Sequence, residues 1–288
     1  MTAKKLEELI VARPSSDGDG VKLLRVFGGA GDPARFDPFL MMDEFGSAEA
    51  SDYIGGFPPH PHRGFETITY MLQGHMEHQD HMGNVGDLQN GDVQWMTAGA
   101  GIIHSEMPKQ TEGRMRGFQV WLNLPAHSKM QAPDYRDIPS ASIPEYAGAT
   151  VSGKLIAGRA QLDGALLEGL VSRPDTEPVY LDLHFDKASD AHTIEVTDGA
   201  TTLIYVYEGE IALGEQGSRV QRGKLARLSR DGSRIDLRTL ADNTRVVLLA
   251  GQPLNEPIVQ YGPFVMNTRQ EIEQALDDYR RGVLAQTF

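Results

Sequence analysis

The chain has 288 residues, 40% of them hydrophobic and 23% charged, enough to bury a sizeable core in one large or two ordinary domains. Its formal net charge of −13 and pI near 5.1, with no basic run, exclude a surface built to neutralise phosphates, so nucleic acid and anionic membranes are not expected partners. The absence of cysteine excludes disulfides, thiolate nucleophiles and thiolate metal sites, so any metal must be held by His, Asp, Glu or backbone oxygen.

The first residues, M-T-A-K-K-L-E-E-L-I, carry neither a long apolar stretch nor a small-residue cleavage site. No apolar run approaches the roughly 18 residues of a membrane span. A cytoplasmic protein is expected. Residues 1–30 read as two short strands, the second holding Leu23, Leu24, Val26 and Phe27 before the cluster Gly28 to Gly31. No G-K-[ST] follows that cluster and Pro33 comes at once, so it reads as a turn and not as a phosphate loop. The run from Asp37 to Phe45 is an apolar strand, with Asp43 and Glu44 expected at a solvated end, the alternative being contact with Arg63 or another base.

Pro58, Pro59 and Pro61 surround His60 and His62, which marks an edge or bulged strand. Glu66 to Leu72 alternates cleanly, and Gln73 to His75 reads as a tight hairpin. Asp92 to Met96 and Arg116 to Leu124 are further strands, with Gly83, Gly86 and Gly91 marking turns. Pro125 to Ala147 holds several prolines and little periodicity, and reads as a linker or crossing arm. Strands then resume, and T-L-I-Y-V-Y-E-G-E-I-A-L (Thr202 to Leu213) echoes T-I-T-Y-M-L-Q-G-H-M (Thr67 to Met76). This is the mark of an internal duplication. Two all-β domains are expected, 1–135 and 136–288. The one clear helix is Asn267 to Tyr279, with a Thr268/Glu271 capping box and an apolar stripe of Ile272, Ala275, Leu276 and Tyr279.

Chemistry concentrates between Gly55 and Pro108. His60 and His62 stand at i, i+2, as do His104 and Glu106. On a strand that spacing puts both side chains on one face, so two facing strands would aim four ligand-type groups at one point. Imidazole and carboxylate without thiolate suit Fe(II), Mn, Ni, Cu or Zn. Four protein ligands would leave two positions of an octahedral ion open. His75, His78 and His81 are expected on the solvent side of a hairpin, with His78 the candidate for a barrel mouth. His184 and His192 lack a second ligand at i, i+2, so the second domain carries no metal motif. Trp95, Met96, Met41, Met42, Phe45 and Phe57 would line an apolar pocket above the metal or simply fill the core.

His60 and His62 with Glu66, then Gly91 through His104, resemble the two motifs of the cupin superfamily, although the glycine spacing before His60 is short and no Asn follows His104. The longer strings F-P-P-H-P-H-R-G-F-E-T-I-T-Y, G-D-V-Q-W-M-T-A-G-A-G-I-I-H-S-E-M-P and E-P-I-V-Q-Y-G-P-F-V-M-N-T closely resemble the pirin family. That resemblance runs from Arg25 to the final helix. It implies a bicupin, two β-barrel (double-stranded β-helix) domains with a C-terminal helix, and one metal in the first barrel. The family's iron ligands fall here on His60, His62, His104 and Glu106, whereas the cupin pattern alone would take Glu66 as the carboxylate. Some bacterial pirins resemble flavonol dioxygenases, which implies a small aromatic, quercetin-like substrate, with Glu106 as both ligand and base. Other pirins are described as iron-dependent partners of transcription regulators or metabolic enzymes, which implies a protein partner instead.

Overall fold

The computed structural model describes residues 2–29 and 31–285. Nearly every regular element is a strand. The chain forms two compact units, and they are not the contiguous stretches 1–135 and 136–288. One unit comprises Arg13–Arg35, Phe39–Ala141 and the chain from Asn255 on; the other comprises the chain up to Ala12, Phe36–Pro38 and Ser142–Leu254. The ends are thus exchanged, for reasons visible at both. The N-terminal strand Leu6–Val11 adds to the strand Lys224–Leu228, and the Lys4 ammonium donates to the carbonyls of Ala200, Ser229 and Arg230. At the other end, Arg63 N–H donates to the Pro263 carbonyl and Val265 N–H to the Arg63 carbonyl.

The first unit, containing the histidine pair, has two main antiparallel sheets and a two-stranded one, Val259–Tyr261 with Phe264–Met266. The larger orders its strands Asp134–Ile138, Val93–Thr97, Phe65–Gln73, Met115–Asn123, Phe39–Ser47, Val21–Phe27 and Arg13–Asp17. The smaller orders Phe57–His62, Ile102–Pro108, Met76–Asp80 and Val85–Leu88. The other unit repeats the plan with seven strands and six, and no described residue pairs one sheet with its mate. Its interior is aliphatic, with Leu155, Leu181, Leu183, Ile204, Val206 and Leu248 buried together. The first unit instead divides its apolar filling into smaller clusters, one of them Val21, Leu23, Phe45, Tyr53, Met71, Met76 and Met115 with Phe57 against it. Met96 belongs to another with Ala98 and Ile102.

Gln73 to His75 is not a hairpin. Phe65–Gln73 lies in the larger sheet and Met76–Asp80 in the smaller, so the chain turns a corner from one to the other at Gly74. Gly74 has φ +116°, and its N–H and that of His75 are taken by the side chains of Asn90 (2.7 Å) and Gln110 (2.9 Å) instead of a ladder. The echoed segment turns the same corner at Gly209, between Thr201–Glu208 and Glu210–Leu213. The duplicated signal is therefore a sheet switch.

The stretch Pro125 to Ala147 is also more regular than its composition predicts. Asp134–Ile138 pairs with Val93–Thr97, and Glu145–Ala147 with Val151–Ala157. Pro133, Pro139 and Pro144 flank these strands without interrupting them, and both strands are edges, where a missing donor costs little. Asp43 and Glu44 are buried rather than solvated. Each is neutralised across the sheet, Asp43 by Arg25 (2.8 Å) and Glu44 by Arg116 (2.6 Å).

The helix Arg269–Arg280 starts at Thr268 with both halves of the capping box formed. It buries Ile272 and Ala275 against Phe264, Met266 and Leu284. Tyr279 is largely exposed and touches Phe264 edge-on, so the apolar stripe is narrower than the sequence periodicity predicts. No described helix is long and apolar enough to cross a membrane.

Candidate metal centre

Two antiparallel strands bring the histidines together. In the register of Phe57–His62 against Ile102–Pro108, His60 stands opposite His104 and His62 opposite Ile102. The three rings have centroids 4.4–4.9 Å apart, and their ligand-capable nitrogens lie within 4.8 Å of one another. His62 and His104 are buried, and His60 is half-buried. Burial pushes the His62 and His104 imidazoles well below their ordinary pKa, and neighbouring histidines add to the effect. Both are therefore neutral near pH 7, the form in which a ring nitrogen carries a free lone pair.

The free valences face inward. His62 Nδ1 and His104 Nε2 are buried with no hydrogen-bond partner. His60 Nδ1 lies 2.8 Å from the Pro58 carbonyl, an obligate acceptor, which leaves Nε2 as that ring's free lone pair. Buried polar atoms are ordinarily partnered, and a bound cation satisfies such orphans. The donor set of nitrogens with a nearby carboxylate fits a borderline divalent metal.

Glu106 is buried but lies outside the group of mutually close histidine nitrogens. Its Oε1 accepts from Thr69 Oγ1 at 2.9 Å, and Thr69 Oγ1 lies 2.7 Å from the Gln119 side chain. The Gln119 atom facing Thr69 is Oε1, so the single hydroxyl proton has two acceptors within reach, the Glu106 carboxylate and the Gln119 amide oxygen. A register shift between His104 and Glu106 against the Phe57–His62 strand accompanies this offset.

Glu66 occupies a different place. It is buried, and its Oε1 accepts from Thr97 Oγ1 at 2.6 Å. The shared parity with His60 and His62 does not survive, because Gly64 (φ +91°) breaks the chain between two strands of different sheets. On Phe65–Gln73, alternation puts Glu66 on the face opposite Thr69.

The unexpected member is His78. It is 1% exposed, not solvent-facing, and its Nε2 lies 2.7 Å from His104 Nδ1. Its strand Met76–Asp80 pairs with Ile102–Pro108, which sets His78 opposite Glu106 and diagonal to His104. A local signal existed: Met76 and His78 share a face, and Met76 is apolar. The pairing that makes this face inward is long-range. The other two histidines of that stretch stay at the surface, His75 beside Asp87 and His81 beside the Ala285 carbonyl. Thr69 and Gln119 had no sequence signal of their own. In the other unit, His184 lies against Asp182 and Tyr207, and His192 against Asp163.

With this geometry in place, residues 20–122 match the family model described as Pirin, and residues 180–285 match the Pirin C-terminal cupin domain. The chain belongs to the pirin family. The Pirin match contains all four candidate ligands together with His78, Thr69 and Gln119. A Pseudomonas aeruginosa protein named "putative quercetin 2,3-dioxygenase" is 56% identical over 281 residues, covering 96% of this chain and 97% of that protein. A pirin-like protein of Caulobacter vibrioides is 43% identical over 286 residues, covering 98% and 99%. A crystal structure of quercetin 2,3-dioxygenase from Acinetobacter baumannii superposes with a TM-score of 0.89 at 35% identity, covering 98% of this chain and 99% of that one. The two-barrel cupin architecture and the C-terminal helix of this pirin-family chain are thus those of its relatives.

Proposed function

We propose that this protein binds one divalent metal ion, iron in the first instance, through His60, His62, His104 and Glu106, and uses it in dioxygen-dependent opening of a flavonol such as quercetin. The observation that carries the reading is the convergence of three imidazoles, two of which, His62 and His104, hold buried ring nitrogens with no hydrogen-bond partner. The names of relatives that align along the whole chain support the substrate class. A divalent ion held there would supply Lewis acidity, binding and polarising the oxygens of the flavonol.

The protein's own residues would do the remainder. Glu106, held through one oxygen by Thr69, keeps its other oxygen for the ion or for the hydroxyl proton of the substrate. His62 and His104 stay neutral and do not compete for that proton, because burial disfavours their protonation. His60, the least buried of the three, marks the open side from which a planar ligand would approach.

The test is oxygen uptake with quercetin by protein loaded separately with Fe(II), Ni(II) and Mn(II). Turnover above free metal, abolished in His62→Ala, is expected. Loaded wild-type protein with no turnover above free metal overturns the dioxygenase reading while leaving metal binding to be measured by itself.

A further inference from the structure

Each of the three histidines has one ring nitrogen held from behind, but the holders differ in kind. His60 is held by the Pro58 carbonyl and His62 by a backbone hydrogen bond to Pro263. A carbonyl can only accept, so it dictates which nitrogen carries the proton. His104 is held by the Nε2 of His78 at 2.7 Å, and an imidazole nitrogen can accept or donate. At that separation one proton lies between the two rings. If His104 donates, its Nε2 is a bare lone pair and His78 carries its proton on Nδ1. If His78 donates, His104 Nε2 carries a proton and cannot bind a metal. Both outer nitrogens, His104 Nε2 and His78 Nδ1, are buried without a hydrogen-bond partner, so neither arrangement is fixed by a further neighbour among the described residues.

We propose that His78 is a positioning residue that sets the tautomer and ring orientation of His104, accepting the His104 Nδ1 proton so that Nε2 faces the metal. The inference rests on the reading of His104 as a ligand. The strand pairing supports it: His78 sits on the neighbouring strand, diagonal to His104, where its ring reaches the back of the His104 ring (centroids 4.8 Å apart) and not the front. Accepting that hydrogen bond also makes His104 a stronger donor to the ion, as outer partners of ligating histidines generally do. Metal binding and proton position are then one event. Only the arrangement with His78 as acceptor takes the ion, and the ion holds that arrangement in place.

The deciding experiment compares Co(II) affinity, by competition with a chromophoric chelator, in wild type, His78→Phe, His78→Gln and His104→Ala. Phenylalanine fills the space without an acceptor; glutamine offers an amide oxygen near the former Nε2. A loss of ~10- to 100-fold is expected for His78→Phe, with His78→Gln within a few-fold of wild type and a changed Co(II) visible spectrum only in the phenylalanine variant. An unchanged affinity and spectrum in His78→Phe, while His104→Ala loses the ion, overturns the role of His78 and leaves the metal reading standing. Wild type that takes no Co(II), or His104→Ala that binds like wild type, overturns the metal reading itself. A measurement on wild type alone guards against a misfolded variant: nitrogen-labelled histidine spectra of the Zn(II)-loaded protein should report His78 protonated on Nδ1. Protonation on Nε2 overturns the inference.

Discussion

At the scale of single residues, the choice of carboxylate is the sharpest point. Glu66 and Glu106 are both buried glutamates, each accepting from a threonine, yet only Glu106 shares a strand with His104. Glu106→Gln removes the charge beside the three imidazoles and should lower both metal content after dialysis and quercetin-dependent oxygen uptake. Glu66→Gln should leave metal content at the wild-type level. Metal analysis of the two variants side by side checks this, and the reverse order would return the site to the ordinary cupin pattern. Thr69→Val should weaken activity more than metal content, because it frees one oxygen of Glu106 without removing the charge; a net loss of ~0.5–1.5 kcal/mol per hydrogen bond sets the scale.

At the scale of elements, glycine corners and caps place the ligands. Gly64 separates the two strands that carry His62 and Thr69, and a Cβ there would sit 2.0 Å from the Val265 carbonyl oxygen. Gly64→Ala should therefore cost more than the ~1–3 kcal/mol of a strained backbone conformation alone and should also reduce metal uptake. Gly83→Ala, at a similar φ of +86° but in open space, isolates the conformational cost and should leave metal uptake intact. Thermal melting and metal content of the pair check both statements. The C-terminal helix belongs to the same unit. Its Asp278 pairs with the buried Arg63 at 2.7 Å, directly after His62. Thr268→Ala removes the cap of that helix and should destabilise it by ~1 kcal/mol, read as a lower melting temperature.

At the scale of the whole molecule, the two units have the same plan and different interiors. One is filled with aliphatic side chains; the other holds imidazole, hydroxyl and carboxylate groups that a metal would tie together. Loading with Ni(II) or Fe(II) should raise the melting temperature, since a ligand at a hundredfold excess over its Kd stabilises by ~2.7 kcal/mol. Chelation should reverse the shift, and a melt indifferent to metal would count against the site. The aliphatic unit has its own pH signature. Burial, reinforced by nearby Asp182, holds the Tyr180 phenol well above its ordinary pKa of 10.0. Above that pH the unfolded phenol loses a proton that the folded one keeps, so stability falls as pH rises, by at most ~1.4 kcal/mol per pH unit. Melting curves at increasing alkalinity should fall less steeply for Tyr180→Phe than for wild type.

The sequence by itself determined the all-β class, the duplication, the capped helix and the two ligand-bearing stretches, because each is written in short-range signals. Strand alternation, Pro and Gly punctuation, the Thr268/Glu271 box and the i, i+2 spacing of His60/His62 and His104/Glu106 all lie within a few residues. Tertiary structure alone decided what those signals serve. Gly74 and Gly209 turn corners between sheets where the sequence reads as hairpins, since a glycine in a turn is compatible with either. The chain termini exchange units because the strand Leu6–Val11 and the segment around Val265 find their backbone partners far away in sequence. Glu66 is turned away from the histidines by the break at Gly64, and His78 is brought behind His104 by the pairing of Met76–Asp80 with Ile102–Pro108. Long-range pairing chooses which face of a strand is inside, and alternation within one strand does not carry that choice.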